Sequence, residues 1–516
     1  MGDIVSMHAL AKQDTPAVID DRPDGRQLTL TWRQLDDQAN QLANVLLERG
    51  AGPGTKIVWC GQNSIGVVLA VNAARRIGAT AVPLNYRLSD EEAAYVTDHC
   101  DAALVYADAE QAALFARIRD QIPNVEHVLI YDGAPEAGQE SVDAVIRAAP
   151  TAEPPAPEGE AATMIYTSGT TGKPKGAFRR GAGDPAQVLA MVQHIGFAPD
   201  DVHVTTGPLY HSGPGAFMQL AQLLGNLVII QRKFDPEDWL RLVDTYRVTT
   251  TFSAPTPVRM VCALPAEVKQ RYDRSSMRRM IANAAPWSFA LKQMYLADFP
   301  DDSLWEVYGS TELGIDTILD PADQLRKPGS CGKPAPGVEI RLYDDAGNVV
   351  EGSGPEQTGE LYVRSGSTFA DYYKQHDKYL EDQRDGFQTV GDIAYRDDEG
   401  YYYIADRKKD MIISGGMNIY PAEIEAALEV HPDIYEVAVF GTPSEEWGES
   451  VHAVVVLRPG ATMTEEDVVA HARQHLAGYK IPRSVTWADE LPKTGSGKLL
   501  KRELRAPFWA DQERMV

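Results

Sequence analysis

The segment YTSGTTGKPKG at 166–176 follows an apolar strand start, ATMI, and packs glycines, hydroxyl residues and lysines into one short stretch. Glycine permits tight turns and close backbone approach, hydroxyls and amides donate to phosphate oxygens, and lysine neutralises their charge. Thr167, Ser168, Gly169, Thr170, Thr171, Gly172 and Lys173 therefore read as a loop that cradles phosphate. The pattern is not that of P-loop nucleotidases, because Thr167 stands five residues before Gly172 and Pro174 follows Lys173.

Three further stretches carry chemistry. In WEVYGSTE, 305–312, a hydroxyl and a carboxylate stand side by side at Thr311 and Glu312, oxygen donors suited to a hard magnesium ion on phosphate. LPKTGSGKLLKREL, 491–504, puts Lys498 on a Gly/Ser loop, from which a cation can reach charge developing on a phosphoryl group. A lysine there, taken alone, reads as a solvated basic residue. PLYHSGPGA, 208–216, contains one histidine, His211, and a lone histidine is more often a satisfied structural residue.

Taken together and in this order, these segments resemble the acyl-adenylate-forming superfamily of acyl-CoA synthetases, luciferases and peptide-synthetase adenylation domains. The resemblance extends over almost the whole chain and implies roles residue by residue. Tyr308 would stack on adenine, with Gly309, Ser310 and Thr311 beside the phosphates, while Glu312 and Thr167 would hold Mg2+. Ala284, Ala285 and Pro286 of NAAPW would flank the adenine, and His211 would gate the acyl pocket. Trp287 is bulkier than the resemblance leads one to expect, and reads either as a wall of the acyl tunnel or as a core tryptophan. Asp392 would grip the ribose, since a carboxylate accepts two hydrogen bonds from a vicinal diol. Arg407 would contact ribose or phosphate, Lys409 would be a hinge, and Lys498 would be the catalytic lysine. Gly415 and Gly416 would line the pantetheine of coenzyme A, with Arg87, Trp447, Tyr479 and Arg483 nearer its nucleotide. The chain departs from the common pattern at Asp406, where glycine is frequent, and at Met417, where glutamate is frequent.

The activity so implied is an ATP-dependent acyl-CoA synthetase that activates a hydrophobic carboxylic acid as acyl-AMP and transfers it to CoA. The alternatives are an adenylating ligase that loads a carrier protein and a relative limited to one half-reaction or to ligand binding. No Asp occupies the stretch where amino-acid adenylation domains bind the substrate amine, which disfavours a peptide-synthetase reading.

The rest of the chain bounds these readings. A formal net charge of -25 without a long Lys/Arg run argues against nucleic acid, and places the burden of binding ATP and CoA on local cations and amides. Cys60, Cys100, Cys262 and Cys331 lack metal or disulfide spacing, which fits a reducing cytoplasm. Neither a leader nor a membrane span is expected, and a homodimer is the default assembly. The elements that must position the site follow from periodicity. LTLTW with the helical spacing of Leu35, Ala39, Leu42 and Leu46 predicts a strand and helix over 29–50, capped at Thr31. A strand at 57–61, a helix at 65–77 and a strand at 80–85 predict parallel α/β structure. TAEPPAPEGE at 151–160 reads as an exposed linker into the phosphate loop. Short alternating stretches after 330 predict a small β-barrel or sandwich, and α/β patterning returns after 409. The expected architecture is a large N-terminal α/β unit over 1–408, with the barrel-like part at about 330–408, and a smaller mobile mixed α/β unit over 409–516.

Overall fold

The protein is described here as a computed structural model covering residues 3–167, 173–181, 183–285, 287–415, 417–493 and 499–510. The Thr31 hydroxyl accepts the Gln34 amide N–H while Gln34 returns a bond to the Thr31 amide, a reciprocal cap that starts the helix Trp32–Glu48. The helix buries the expected Leu35, Ala39, Leu42 and Leu46. Lys56–Cys60 and Thr80–Leu84 pair in parallel across the helix Ile65–Arg76. They lie in an eight-stranded sheet that also holds Ala162–Thr167 and Lys175–Arg180, the two strands flanking the phosphate loop.

The opening strands do not stay with their sequence neighbours. Pro16–Asp21 pairs in parallel with Leu227–Ile230, so the first hairpin becomes one edge of a second, nine-stranded sheet. The other end of that sheet contains Arg279–Ala282, Leu304–Ser310 and Gly314–Leu319. The linker at 151–160 is strapped down at its start, where Asn40 and Asn44 donate to the carbonyls of Thr151, Pro150 and Ala152 at 3.0 Å.

The alternating stretches after 330 form a five-stranded antiparallel sheet built on Glu339–Tyr343, Gly359–Arg364 and Phe387–Arg396, with Tyr402–Arg407 paired to the last of these. Its Leu342, Leu361, Val363 and Ala394 share one apolar core with Val307 and Ile318 of the nine-stranded sheet. That shared core brings strand Phe387–Arg396 up against Leu304–Ser310. A fourth sheet, containing Ile412–Ser414, Ile434–Ser444 and Gly448–Leu457, packs with the helices Pro421–Glu429 and Glu465–His475 around a core of its own. The four cysteines are buried and free. Among the described residues no helix is long and apolar enough to cross a membrane.

Candidate active site

Thr167 ends the strand Ala162–Thr167, and the chain returns antiparallel from Lys175, directly opposite it. Ser168 to Gly172 lie outside the described residues, but both ends of their loop are fixed by one helix, Asp90–His99. His99 Nδ1 hydrogen-bonds Tyr166 Oη at 2.7 Å, the Tyr95 hydroxyl donates to the Pro174 carbonyl at 3.3 Å, and Lys173 Nζ lies 4.7 Å from the Tyr95 ring centre.

Glu312 borders the same cleft and is 8% exposed. Its Oε1 accepts the Thr167 hydroxyl at 3.0 Å and the Tyr372 hydroxyl at 3.1 Å. The turn that carries it is held by the Phe369 N–H on the Glu312 carbonyl at 2.7 Å and by Arg179 on the Thr311 carbonyl at 2.9 Å. Ser212 and Thr311 hydroxyls meet at 2.9 Å. Gly309 is required by the tight hairpin, because a side chain there would collide with the Gly314 carbonyl.

On the adjoining wall the Tyr308 hydroxyl donates to Asp392 Oδ2 at 2.5 Å, and Arg407 Nε lies 3.4 Å from Oδ1. Asp392 and Arg407 are cross-strand partners, so register alone aligns the pair. Burial and the adjacent Asp392 carboxylate push the Tyr308 phenol well above its ordinary pKa, so it stays a neutral donor. Ala284 and Ala285 follow the neighbouring strand onto the cleft, Ala284 with φ of 72°, a strained backbone for a non-glycine residue. Pro286 lies outside the described residues.

Apolar side chains line the same cleft. Phe217 and Phe252 stack at 5.2 Å, and with Ile315 they border the cleft. His211, whose ring lies 4.4 Å from that of Tyr210, stands at the start of the helix Ser212–Leu223 and faces the cleft as well. Trp287 lies in the core and on the cleft lining at once. It is 4% exposed within a core cluster, edge-on to Tyr295 at 6.4 Å, yet it also borders the cleft, and its indole N–H has no partner among the described residues.

Models of two families match the chain, "AMP-binding enzyme" over residues 5–373 and "AMP-binding enzyme C-terminal domain" over 423–498. The chain belongs to the AMP-binding enzyme family. It is 34% identical over 483 residues to an indoleacetate–CoA ligase of Aromatoleum aromaticum, covering 92% of each chain. It is 31% identical over 522 residues to the fatty acid–[acyl-carrier-protein] ligase ScoC of Streptomyces coeruleorubidus, covering 99% of this chain and 97% of that one. Among solved structures it superposes on the anthranilate CoA ligase AuaEII in complex with anthranoyl-AMP with a TM-score of 0.89 at 26% identity, covering 98% and 97%.

In this AMP-binding enzyme the C-terminal sheet contributes Met417, Asn418, Glu436 and Val437 to the cleft lining. Lys498 and Gly416 lie outside the described residues, but Lys493 and Leu499 bridge at the base of the loop that carries Lys498, and both border the cleft with Tyr308 and Asp392. Burial, with the Arg407 charge beside it, brings the Lys409 ammonium down to about 8. The residues named for CoA fall into separate groups. Gly415 (φ 58°) donates its N–H to the Trp447 carbonyl at 2.8 Å, and the Arg483 guanidinium stacks over the Trp447 ring at 4.5 Å. None of these three borders the cleft, whereas Arg87, stacked on Tyr86 at 5.4 Å, and Tyr479 do.

Glu312 and the Thr167 hydroxyl offer two hard oxygen donors, and no group of three metal-binding side chains occurs among the described residues. That set fits Mg2+, which keeps most of its shell for phosphate and water. Tyr372, Arg179, Ser212, Tyr95 and His99 escape a reading of the sequence. Ser212 stands inside PLYHSGPGA, where attention went to His211, whereas the other four lie outside the Gly-rich segments and only folding brings them under the motifs.

Proposed function

We propose that this AMP-binding enzyme is an ATP-dependent acyl-CoA synthetase for a hydrophobic carboxylic acid. The observation that supports the reading is one cleft lined both by the bonded polar groups Thr167–Glu312–Tyr372 and Tyr308–Asp392–Arg407 and by the apolar Phe217, Phe252, Ile315 and Trp287. Carboxylates are poor acyl donors because their leaving group would be oxide. An attack of the acid's oxygen on the α-phosphorus of ATP forms an acyl–O–P bond and releases pyrophosphate. The CoA sulfur then attacks the acyl carbon, the acyl–O bond breaks, and AMP leaves.

In this reading Tyr308, Ala284, Ala285 and Pro286 enclose adenine and Asp392 holds the ribose hydroxyls, oriented by Arg407. The loop from Thr167 to Lys173 receives the terminal phosphates. Lys498 stabilises charge on the α-phosphoryl group in the first step. Mg2+, held by Glu312 and Thr167, would supply further neutralisation of phosphate charge. His211, which borders the cleft, would gate the acyl pocket. The second step needs a different surface at the same carbon, and a pivot at Lys409 would bring Gly415 and Gly416 beside the pantetheine while Lys498 withdraws. Arg87, Trp447, Tyr479 and Arg483 would lie nearer the CoA nucleotide. The buried reduced cysteines support a cytoplasmic location.

A second reading replaces CoA by the phosphopantetheine thiol of a carrier protein. The likeness to ScoC supports it, since the adenylation chemistry is shared and only the acceptor differs. Incubation with a panel of fatty, alicyclic and aromatic acids, ATP and either CoA or a charged-ready carrier protein separates the two. Acyl-CoA with AMP is the expected product, and acyl transfer to the carrier alone would establish the second reading.

A further inference from the structure

Asp316 belongs to none of the motifs, yet it sits in the hairpin that carries Tyr308 and Glu312. The strands Leu304–Ser310 and Gly314–Leu319 pair Tyr308 with Thr317 but Gly309 with Ile315, so Asp316 is the extra residue of a β-bulge. The Ala335 N–H anchors it there, donating to its carbonyl at 2.9 Å. Its side chain is fully buried, whereas the neighbouring Ile315 borders the cleft. Neither of its carboxyl oxygens has a hydrogen-bond partner among the described residues. The titratable groups that face it are Asp392 on the strand Phe387–Arg396, Arg179 on Lys175–Arg180, Tyr308 across the hairpin, and Cys331. Arg179 donates from its two Nη atoms to the carbonyls of Ser367 and Thr311, so its charge lies near Asp316 without a bond to it.

A carboxylate buried without a bonded cation gives up its charge. Burial, and after it the Asp392 carboxylate, push the Asp316 carboxyl well above the ordinary carboxylate range, and the Arg179 charge offsets part of the rise. Tyr308 and Cys331 are raised by burial too and stay neutral. We infer that Asp316 is a positioning residue for nucleotide binding that works as the neutral acid: it fills the bulge beside Tyr308 and Asp392 without adding a second negative charge to that corner. An ionised Asp316 would repel the phosphates. It would also press Asp392 toward its own neutral form, which accepts fewer hydrogen bonds from the ribose. The inference rests on the reading of this cleft as an ATP site. Asp316 is buried away from any ligand, so it acts through Tyr308 and Asp392.

The test is equilibrium binding of MgATP to the full-length enzyme, without acid or CoA, by titration calorimetry from about pH 6 to about pH 9, where displaced buried carboxyls titrate. A proton that stays on in the complex but leaves the free enzyme makes binding weaken as pH rises. Lys409, brought down to about 8, adds a decline of its own that is common to the wild type and to a variant at Asp316. Asp316→Asn keeps the shape of the neutral acid and cannot ionise. It is expected to bind MgATP like the wild type at the acid end and about tenfold more tightly than the wild type at the alkaline end, the scale of one pKa unit. Parallel profiles for the two proteins would overturn the inference, because Asp316 would then not titrate. Weaker binding by Asp316→Asn at every pH would overturn it as well, because the charge would then be needed. Should Asp316→Asn fail to fold, Lys409→Arg decides, since arginine keeps its charge throughout. With Asp316 intact, that variant should still take up protons on binding at the alkaline end, read from titrations in two buffers of different ionisation enthalpy. No uptake there would overturn the inference. If the wild-type enzyme binds no MgATP at any pH, it is the underlying functional reading that fails.

Discussion

The two walls of the cleft are built on different principles. The polar lining, proposed above to hold the nucleotide, is preassembled: Glu312 is already bonded to Thr167 and Tyr372, and Asp392 to Tyr308 with Arg407 alongside. Its groups come from three sheets, and each is held by backbone register or a second side chain. The apolar lining, proposed above to receive the acyl group, is held by ring contacts, Phe217 on Phe252 and Trp287 on the buried Tyr295. A wall of fixed donors recognises one ligand, and a wall of packed rings can be recut by single substitutions. Changes on the first wall should therefore lower the rate for every acid alike, and changes on the second should redistribute rates among acids.

Lys498→Ala carries the largest expected effect. Acyl-AMP formation should fall by roughly two to three powers of ten, the usual scale for one charge-stabilising donor, for all acids in equal proportion. Transfer to CoA from supplied acyl-AMP should change much less. Single-turnover rates with two acids of different bulk decide this, and unequal losses between the acids would blur the division of the walls.

Glu312→Gln keeps an oxygen to accept Thr167 and Tyr372 while removing the charge, so the fold should persist. The loss should be about ten- to a hundredfold at limiting magnesium and smaller at excess, as expected for one anionic donor to a hard ion. Titration of magnesium at fixed ATP shows it. Magnesium dependence unchanged from the wild type would remove Glu312 from the metal.

Trp287→Ala tests the other wall. Removal of a buried indole should cost about 3–5 kcal/mol of stability in a urea titration. In the variant that remains folded, the ratio of kcat/KM for a bulky acid to that for a small one should rise severalfold, while the KM for ATP stays the same. A uniform fall across acids would assign Trp287 to the core alone.

These contrasts also explain what was legible in the sequence. The Gly-rich stretch at 166–176, the YGSTE segment and the stretch around Lys498 are local signals, because a chain must place glycines and hydroxyls consecutively to wrap a phosphate, although Ser168 to Gly172 and Lys498 lie outside the described residues. The helix capped at Thr31 and the parallel pair Lys56–Cys60 and Thr80–Leu84 were equally local and lie within a residue or two of their expected bounds. Tyr372 and Arg179 were illegible, since nothing near them in sequence shows that they will brace Glu312 and Thr311. The opening hairpin, drawn to Leu227–Ile230 rather than to its neighbour in sequence, is hidden for the same reason. The identity of the acid belongs to that class too, because Phe217, Phe252, Trp287 and Ile315 are brought together only by the completed sheet.

The smallest expected effect concerns pH. Burial raises the Asp406 carboxyl from 3.8 to about 6, against a lowering by Lys501 and with Glu425 nearby. The folded state thus holds the proton more tightly than the unfolded chain. Its stabilising contribution is complete below about pH 4 and lost as pH rises through about 6, by at most about 3 kcal/mol. Thermal melts of the wild type and Asp406→Asn from pH 4 to pH 7 should converge differently: the wild type loses stability over that window relative to the variant. Parallel profiles would show that Asp406 titrates normally.

The central claim is that one cleft makes an acyl adenylate and then hands the acyl group to a thiol. Its most direct test is a single-turnover experiment with the wild-type enzyme, a hydrophobic acid and ATP, first without CoA and then with CoA added, followed by mass spectrometry. The account predicts acyl-AMP and pyrophosphate in equal amounts before CoA, then acyl-CoA and AMP in equal amounts after it. Release of ADP and phosphate, or acyl-CoA without a preceding acyl-AMP, would contradict it.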